Sequence, residues 1–140
     1  FGAPISGTID MGITKFNQGG TNLIYSTYLG GDGSEVPHSI VVNDNNELFI
    51  YGTSGAATYP ITPGAYQPTY NGGPSISWTV GYGFTNPNGS DIVVSKLSAD
   101  GTTLLGSTYV GGTGLCSECH VCQLFSGYAR RTANPFLRIA

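Results

Sequence analysis

Apolar and polar residues alternate over short runs in this chain, and turns rich in Gly, Asn and Asp separate the runs. Alternation with a period of two is typical of β-strands that bury one face. In residues 13–33 and again in residues 94–114, a strand, a glycine-containing turn and a second strand are followed by Gly-Gly. The pattern therefore predicts an all-β chain built from antiparallel hairpins.

These two segments are copies of each other, ITKFNQGGTNLIYSTYLGGDG and VSKLSADGTTLLGSTYVGGTG, separated by 81 residues. The agreement covers Lys15 with Lys96, Gly20 with Gly101, and Ser26-Thr27-Tyr28 with Ser107-Thr108-Tyr109. A fixed internal period of β-hairpins indicates a repeat architecture.

Two more strands are predicted between the copies, at residues 38–42 and 48–51. The Asn43-Asp44-Asn45-Asn46 cluster separates them, and such residues tolerate the left-handed backbone of a tight hairpin. Four successive strands joined in this way predict one blade of a β-propeller.

Several runs, STYLGG, NDNNELFIYGTS, YPITPGAYQ and DIVVSKLSADGTTLLGSTYVGG, closely resemble the bacterial β-propeller repeat often called SBBP. The resemblance covers about residues 8–114. It implies a secreted or cell-surface bacterial protein with antiparallel, propeller-blade-like hairpin repeats, and it brings no catalytic residues. We accordingly expect a repeat domain at residues 1–114 and a separate tail at residues 115–140.

The chain departs from the family pattern in two ways. Residues 70–90, which include Trp78, form a long excursion rich in Gly, Asn and Pro that extends the usual blade. About one full blade plus parts of two others cannot close a ring. Open strand edges invite pairing with another copy, so we expect a homo-oligomer or filament.

The tail contains Cys116-Ser117-Glu118-Cys119-His120, and this C-x-x-C-H spacing is the attachment signature of c-type haem. The two thiols can each bond one vinyl group of the haem, and His120 can then bind the iron. We expect one haem c per chain.

Other interpretations of the cysteines stay open. Cys116, Cys119, His120 and the remaining Cys122 could bind zinc, although structural zinc ligands are usually drawn from separated segments. A disulfide would leave an odd thiol, and a redox C-x-x-C motif would need a βαβ context that is not evident. The tail could also be a foreign or out-of-frame peptide, to be excluded from fold reasoning.

A haem bound through His120 needs a second axial ligand, and His38 and Met11 are the candidates. His38 follows Val36-Pro37 at the start of a strand, where an imidazole can point outward, but it could equally be an ordinary polar edge residue. Met11 alternates with Ile9 and Ile13, so it is expected to fill the core.

Composition excludes some partners. The net charge is −3 and Lys and Arg number only 5, which is too few for a phosphate-binding surface, so nucleic acid is not expected. No apolar run approaches the roughly 20 residues that span a bilayer, and the start at Phe1 without Met suits a mature secreted protein or a fragment.

No catalytic constellation is evident, so no enzymatic activity is expected. Asp10 and Asp91 occupy equivalent strand entrances and are interpreted as groups that fix turns. Two functional hypotheses follow. The first is a secreted c-type cytochrome for extracellular electron transfer, assembled as a filament, with other redox proteins as possible partners. The second is a propeller scaffold or adhesive fragment of a bacterial surface protein without haem.

Overall fold

The computed structural model describes residues 9–78 and 83–114, and this part of the chain contains strands and no helix. The eight strands are β1 (Met11–Phe16), β2 (Leu23–Leu29), β3 (Glu35–Val42), β4 (Leu48–Ser54), β5 (Ile76–Trp78), β6 (Phe84–Asn86), β7 (Asp91–Leu97) and β8 (Leu104–Val110). The prediction of an all-β chain with antiparallel pairing is confirmed.

Four strands form the central sheet in the order β3-β4-β7-β8, each antiparallel to its neighbour. The β3–β4 hairpin turns through the predicted Asn cluster, where Asn46 has a φ of 59° and its amide bonds the Asn43 carbonyl at 2.9 Å. The strand order is that of a simple meander. Its identity as a propeller blade stays a prediction.

The two sequence copies form hairpins of the same register. In β1–β2, which we call the first hairpin, Met11 pairs with Leu29, and in β7–β8, the second hairpin, Ile92 pairs with Val110. Each hairpin has a register shift at the same place, after Lys15 and after Lys96. The 81-residue repeat in the sequence is therefore also a repeat of the backbone pairing.

The turns of the two hairpins are built alike. Gly20 bonds the Asn17 carbonyl at 2.9 Å, and Gly101 bonds the Ser98 carbonyl at 3.0 Å. The two glycines have φ angles of 67° and 71°, a left-handed conformation that glycine adopts without steric cost. The sequence pattern located both turns because this backbone requires glycine at the same position.

The core lies between the first hairpin and one face of the central sheet. We call that face of the sheet the inner face; its residues Leu48, Ile50, Val93, Leu97 and Tyr109 are buried. The first hairpin contributes Met11, Ile13 and Leu29, which define its packed face. Ala56 and Tyr59, from the segment after β4, complete the cluster. The hairpin and the sheet therefore pack as two layers that share one apolar core.

The predicted excursion holds a further, short hairpin, in which Ile76 pairs with Asn86 and Trp78 with Phe84. The sequence pattern did not predict these strands, because three residues are too few to show an alternation. Among the described residues, no helix is long and apolar enough to cross a membrane.

Candidate functional site

The haem-attachment residues predicted from the sequence, Cys116, Cys119 and His120, lie outside the described residues, as does Cys122. Their chemistry therefore stays a prediction. Within residues 9–78 and 83–114, no group of three or more His, Cys, Asp or Glu side chains could hold a metal ion. What the structure does describe is the position of the two candidates for the second axial ligand.

His38 lies on the face of the central sheet that points away from the core, and we call this the outer face. Its ring centre is 5.9 Å from that of Tyr51, and its Nε2 is 3.4 Å from the Thr53 Oγ1. The residue is exposed overall, but partial burial of the ring lowers the pKa of His38 below its ordinary value.

This environment suits an iron ligand. A lowered pKa keeps the imidazole neutral at physiological pH, and neutral imidazole is the form that binds metals. The position on a strand holds the ring on a fixed part of the sheet, at a surface that a haem or a neighbouring molecule can reach. His38 is therefore accessible at the surface, and its role as an axial ligand stays a prediction.

Met11 does not have this access. Its side chain is 1% exposed and belongs to the core between the two layers. A methyl group at Gly52 would collide with the Met11 Cε, so the thioether is tightly enclosed. The interpretation of Met11 as a core residue is confirmed, and His38 is the better-placed ligand of the two.

A pair of carboxyl groups, of which Glu35 is fully buried and Asp10 partly exposed, joins the two layers. Glu35, the first residue of β3, has no solvent exposure, and its side chain is hydrogen-bonded to that of Asp10, just before β1. The Ser54 hydroxyl donates to Glu35 Oε1 at 2.7 Å, and the Gly31 amide donates to Oε2 at 3.1 Å. The Glu35 amide also bonds the Ile9 carbonyl at 2.9 Å.

Burial raises the pKa of Glu35 to about 7, and the nearby Asp10 carboxyl adds to the effect. A direct hydrogen bond between two carboxyl groups requires one proton, and the raised pKa of Glu35 favours its presence. Because this carboxyl is sealed from solvent, a substrate cannot approach it in the folded state. The pair therefore has a structural role and connects the two layers. The sequence pattern does not indicate Glu35, because one acidic residue beside Gly-rich turns carries no distinctive signal.

Asp91, the repeat equivalent of Asp10, fixes a different segment. Its Oδ2 accepts a hydrogen bond from the Asn71 amide at 2.7 Å, and Gln67 Nε2 lies 3.4 Å away. This segment also runs along the edge of β8, where the Tyr109 amide donates to the Gln67 carbonyl at 3.1 Å. The interpretation of Asp91 as a residue that fixes a turn agrees with these contacts.

Two surfaces are apolar and exposed. The first is the side of the first hairpin that faces away from the core, which we call the open face; Phe16 is 55% exposed there, Leu23 57% and Tyr28 47%. The second is part of the outer face, where Val41 is 59% exposed, Phe49 37% and Val110 40%, whereas Val36 and Ile92 on the same face are buried. His38 lies on this second surface. Such patches are typical of interaction sites.

No family model, curated protein or solved structure matches this chain. The resemblance to the propeller repeat therefore stays a prediction that depends on the residues quoted for it. The candidate site consists of an exposed histidine with a lowered pKa on the outer face, two partly apolar surfaces and the C-x-x-C-H run in the sequence.

Proposed function

We propose that this chain is a secreted c-type cytochrome that carries one covalently attached haem and passes electrons between copies of itself and to other redox proteins. The observation that carries the proposal is the C-x-x-C-H run at Cys116, Cys119 and His120. Thioether bonds from both thiols would keep the haem attached outside the cell, and His120 would bind the iron.

The surroundings of His38 support this proposal. The imidazole is neutral at physiological pH and reachable from outside, as a second axial ligand has to be. Haem, when bound, supplies reversible one-electron transfer at the iron. The protein's own contribution is to supply imidazole ligands and to hold the haem at a fixed distance from the next one.

The exposed apolar surfaces support the assembly part of the proposal. A single haem carries current over distance only if subunits stack, and both the open face and the outer face offer contact area for stacking. A chain with such surfaces on two sides can bind a copy of itself at each.

The test is the absorption spectrum of the reduced protein together with a pyridine haemochrome assay, on material produced in a host that matures c-type cytochromes. We expect the α band of a haem joined through two thioether bonds, and its loss in Cys116→Ser/Cys119→Ser. A matched control, Cys122→Ser, should keep the spectrum. A colourless wild-type protein would refute the proposal.

A second candidate is a non-enzymatic scaffold or adhesive module of a bacterial surface. The observation that favours it is that the described residues form a hydrophobic core cluster among themselves. It predicts that deletion of residues 115–140 leaves the stability and the near-ultraviolet circular dichroism unchanged, and that the full chain has no chromophore. Loss of the fold in the truncated chain would exclude this candidate.

A further inference from the structure

The two hairpins use opposite faces to build the core, although their registers are the same. The first hairpin packs through the face that carries Met11 and Ile13. In the second hairpin the equivalent positions are Ile92 and Val94, whereas its core residues are Val93 and Leu97. One contact inside the molecule therefore joins two different faces of the same repeated unit.

Each unit thus has one face that the contact does not use. For the first hairpin this is the open face, whose Phe16 and Tyr28 correspond to the buried Leu97 and Tyr109. For the central sheet it is the outer face, on which Phe49 and Tyr51 pair across strands with Lys96 and Val94. The outer face corresponds to the packed face of the first hairpin, because Lys96 is the equivalent of Lys15.

The packing of the first hairpin on the inner face provides a template for a contact between two copies of the chain. Lys15 donates to the Ala99 carbonyl at 3.0 Å, in the turn of the second hairpin. The Tyr25 ring lies against Gly101 in that turn, where a methyl group would collide with it. Lys15 also lies 5.8 Å from the centre of the Tyr25 ring.

On the outer face, Lys96 also lies over an aromatic ring, 5.4 Å from the centre of Phe49. Phe49 belongs to β4, on the opposite side of Lys96 from Gly106, which is the repeat equivalent of Tyr25. The turn of the first hairpin is the matching target, since a methyl group at Gly20 would meet no atom within 4 Å. The place that Tyr25 fills beside Gly101 is therefore vacant beside Gly20.

We propose that copies of this chain associate head to tail, with the outer face of one copy packed on the open face of the next. Phe49 would contact the open face, and Lys96, which pairs with Glu47 at 2.8 Å in the single chain, would turn to the Gln18 carbonyl, the repeat equivalent of Ala99. The occupant of both surfaces is a second copy, because the chain itself carries both halves of the contact. Such an interface is heterologous, so it extends into a filament unless the rotation closes a ring.

This inference deepens the self-assembly proposed above and does not depend on the haem. It also places His38 at the proposed interface, since the residue lies on the face that would contact the next copy. The experiment is therefore designed so that association and haem content are measured separately.

The test uses two charge variants, Phe16→Asp on the open face and Phe49→Asp on the outer face. Both side chains are exposed in the single chain, at 55% and 37%, so the fold tolerates the change. A carboxylate buried in an apolar interface should weaken association about 100-fold or more. Tyr66→Asp is the matched control, because Tyr66 is 87% exposed and lies on neither surface.

We expect the wild type and Tyr66→Asp to gain mass with concentration in analytical ultracentrifugation, and each charge variant alone to stay at the single-chain mass of 14.6 kDa, plus any haem. An equimolar mixture should form a one-to-one complex that grows no further, because each variant retains the half that the other lacks. Cys116→Ser/Cys119→Ser should gain mass with concentration as the wild type does. This shows whether association depends on the haem.

Either of two results with the charge variants would overturn the inference. One is a mixture in which both variants stay monomeric. The other is a charge variant that associates as strongly as the wild type, which would place the contact elsewhere, for instance at a symmetric pairing of β2 edges. A wild type that is monomeric at millimolar concentration would also contradict it.

Discussion

The first and second hairpins have the same register and the same turn, yet one is half exposed and the other is enclosed. Ser95 and Ser107 share a buried hydrogen bond of 2.9 Å and continue to the Tyr59 hydroxyl, also at 2.9 Å. The equivalent bond between Thr14 and Ser26, at 3.1 Å, lies in solvent. The comparison teaches that the repeat encodes a unit with two packing faces, and that neighbours decide which of them is buried.

The edges of the hairpins differ in the same way. The segment after β4 covers the edge of β8, where the Ser107 amide donates to the Thr62 Oγ1 at 2.9 Å. In the described part of the chain, β2 pairs only with β1. The first hairpin therefore resembles the second with its cover removed, and an open edge of this kind is prone to association.

The largest expected effect comes from truncating matched positions in the two hairpins. Leu97→Ala should destabilise the chain by about 2–5 kcal/mol, because it leaves a cavity in the core. Phe16→Ala at the equivalent position should change the stability of the monomer by less than about 0.5 kcal/mol. Urea unfolding at low protein concentration measures both. Equal losses would show that the two hairpins are covered alike in the single chain.

The next effect concerns the joint between the two layers. Since burial raises the pKa of Glu35 to about 7 from 4.5, the folded chain keeps a proton that the unfolded chain releases. Stability from this group is therefore fully present below about pH 4.5 and is lost as the pH rises through 7, by an amount on the order of 3 kcal/mol.

Urea unfolding between pH 5 and 8.5 measures this dependence, with Glu35→Gln as the comparison. The amide cannot ionise, so we expect the fall in stability across that range to be largely absent in the variant. If wild type and variant lose stability equally with rising pH, Glu35 is not the group that titrates.

The smallest effect separates two tyrosines at equivalent positions. The Tyr109 hydroxyl donates to the buried Ala56 carbonyl at 2.6 Å, so Tyr109→Phe should cost about 1 kcal/mol or somewhat more. Tyr28→Phe should be close to neutral in the monomer, because Tyr28 is 47% exposed. Thermal unfolding resolves the difference. A loss for Tyr28→Phe comparable with that of Tyr109→Phe would contradict the proposed difference between an open first hairpin and a covered second hairpin.

Sequence patterns predict the two repeated hairpins and the β3–β4 hairpin with their turns, but not β5 and β6, because the longer strands and the turns depend on local chemistry. Gly20, Gly101 and the Asn43–Asn46 turn each need a backbone that few residues adopt, and strand alternation marks a buried face. The pattern could not show which hairpin is covered, because Tyr28 and Tyr109 are the same residue in the same motif. Burial there depends on segments far away in the sequence, such as the one that contains Ala56.

The candidate site was predictable to a smaller extent. His38 was singled out as one of two histidines, and the structure adds its outward position and lowered pKa. The carboxyl pair of Asp10 and Glu35 depends on tertiary packing around Gly31 and Ser54, and no local pattern announces it.

The haem is the claim on which the proposed function depends, and the intact mass of the purified full chain tests it most directly. Covalent attachment predicts an increase of roughly 600 Da over the polypeptide that resists denaturation, with loss of the increase in Cys116→Ser/Cys119→Ser. A wild-type protein with the bare polypeptide mass, from a host that matures c-type cytochromes, would contradict the account.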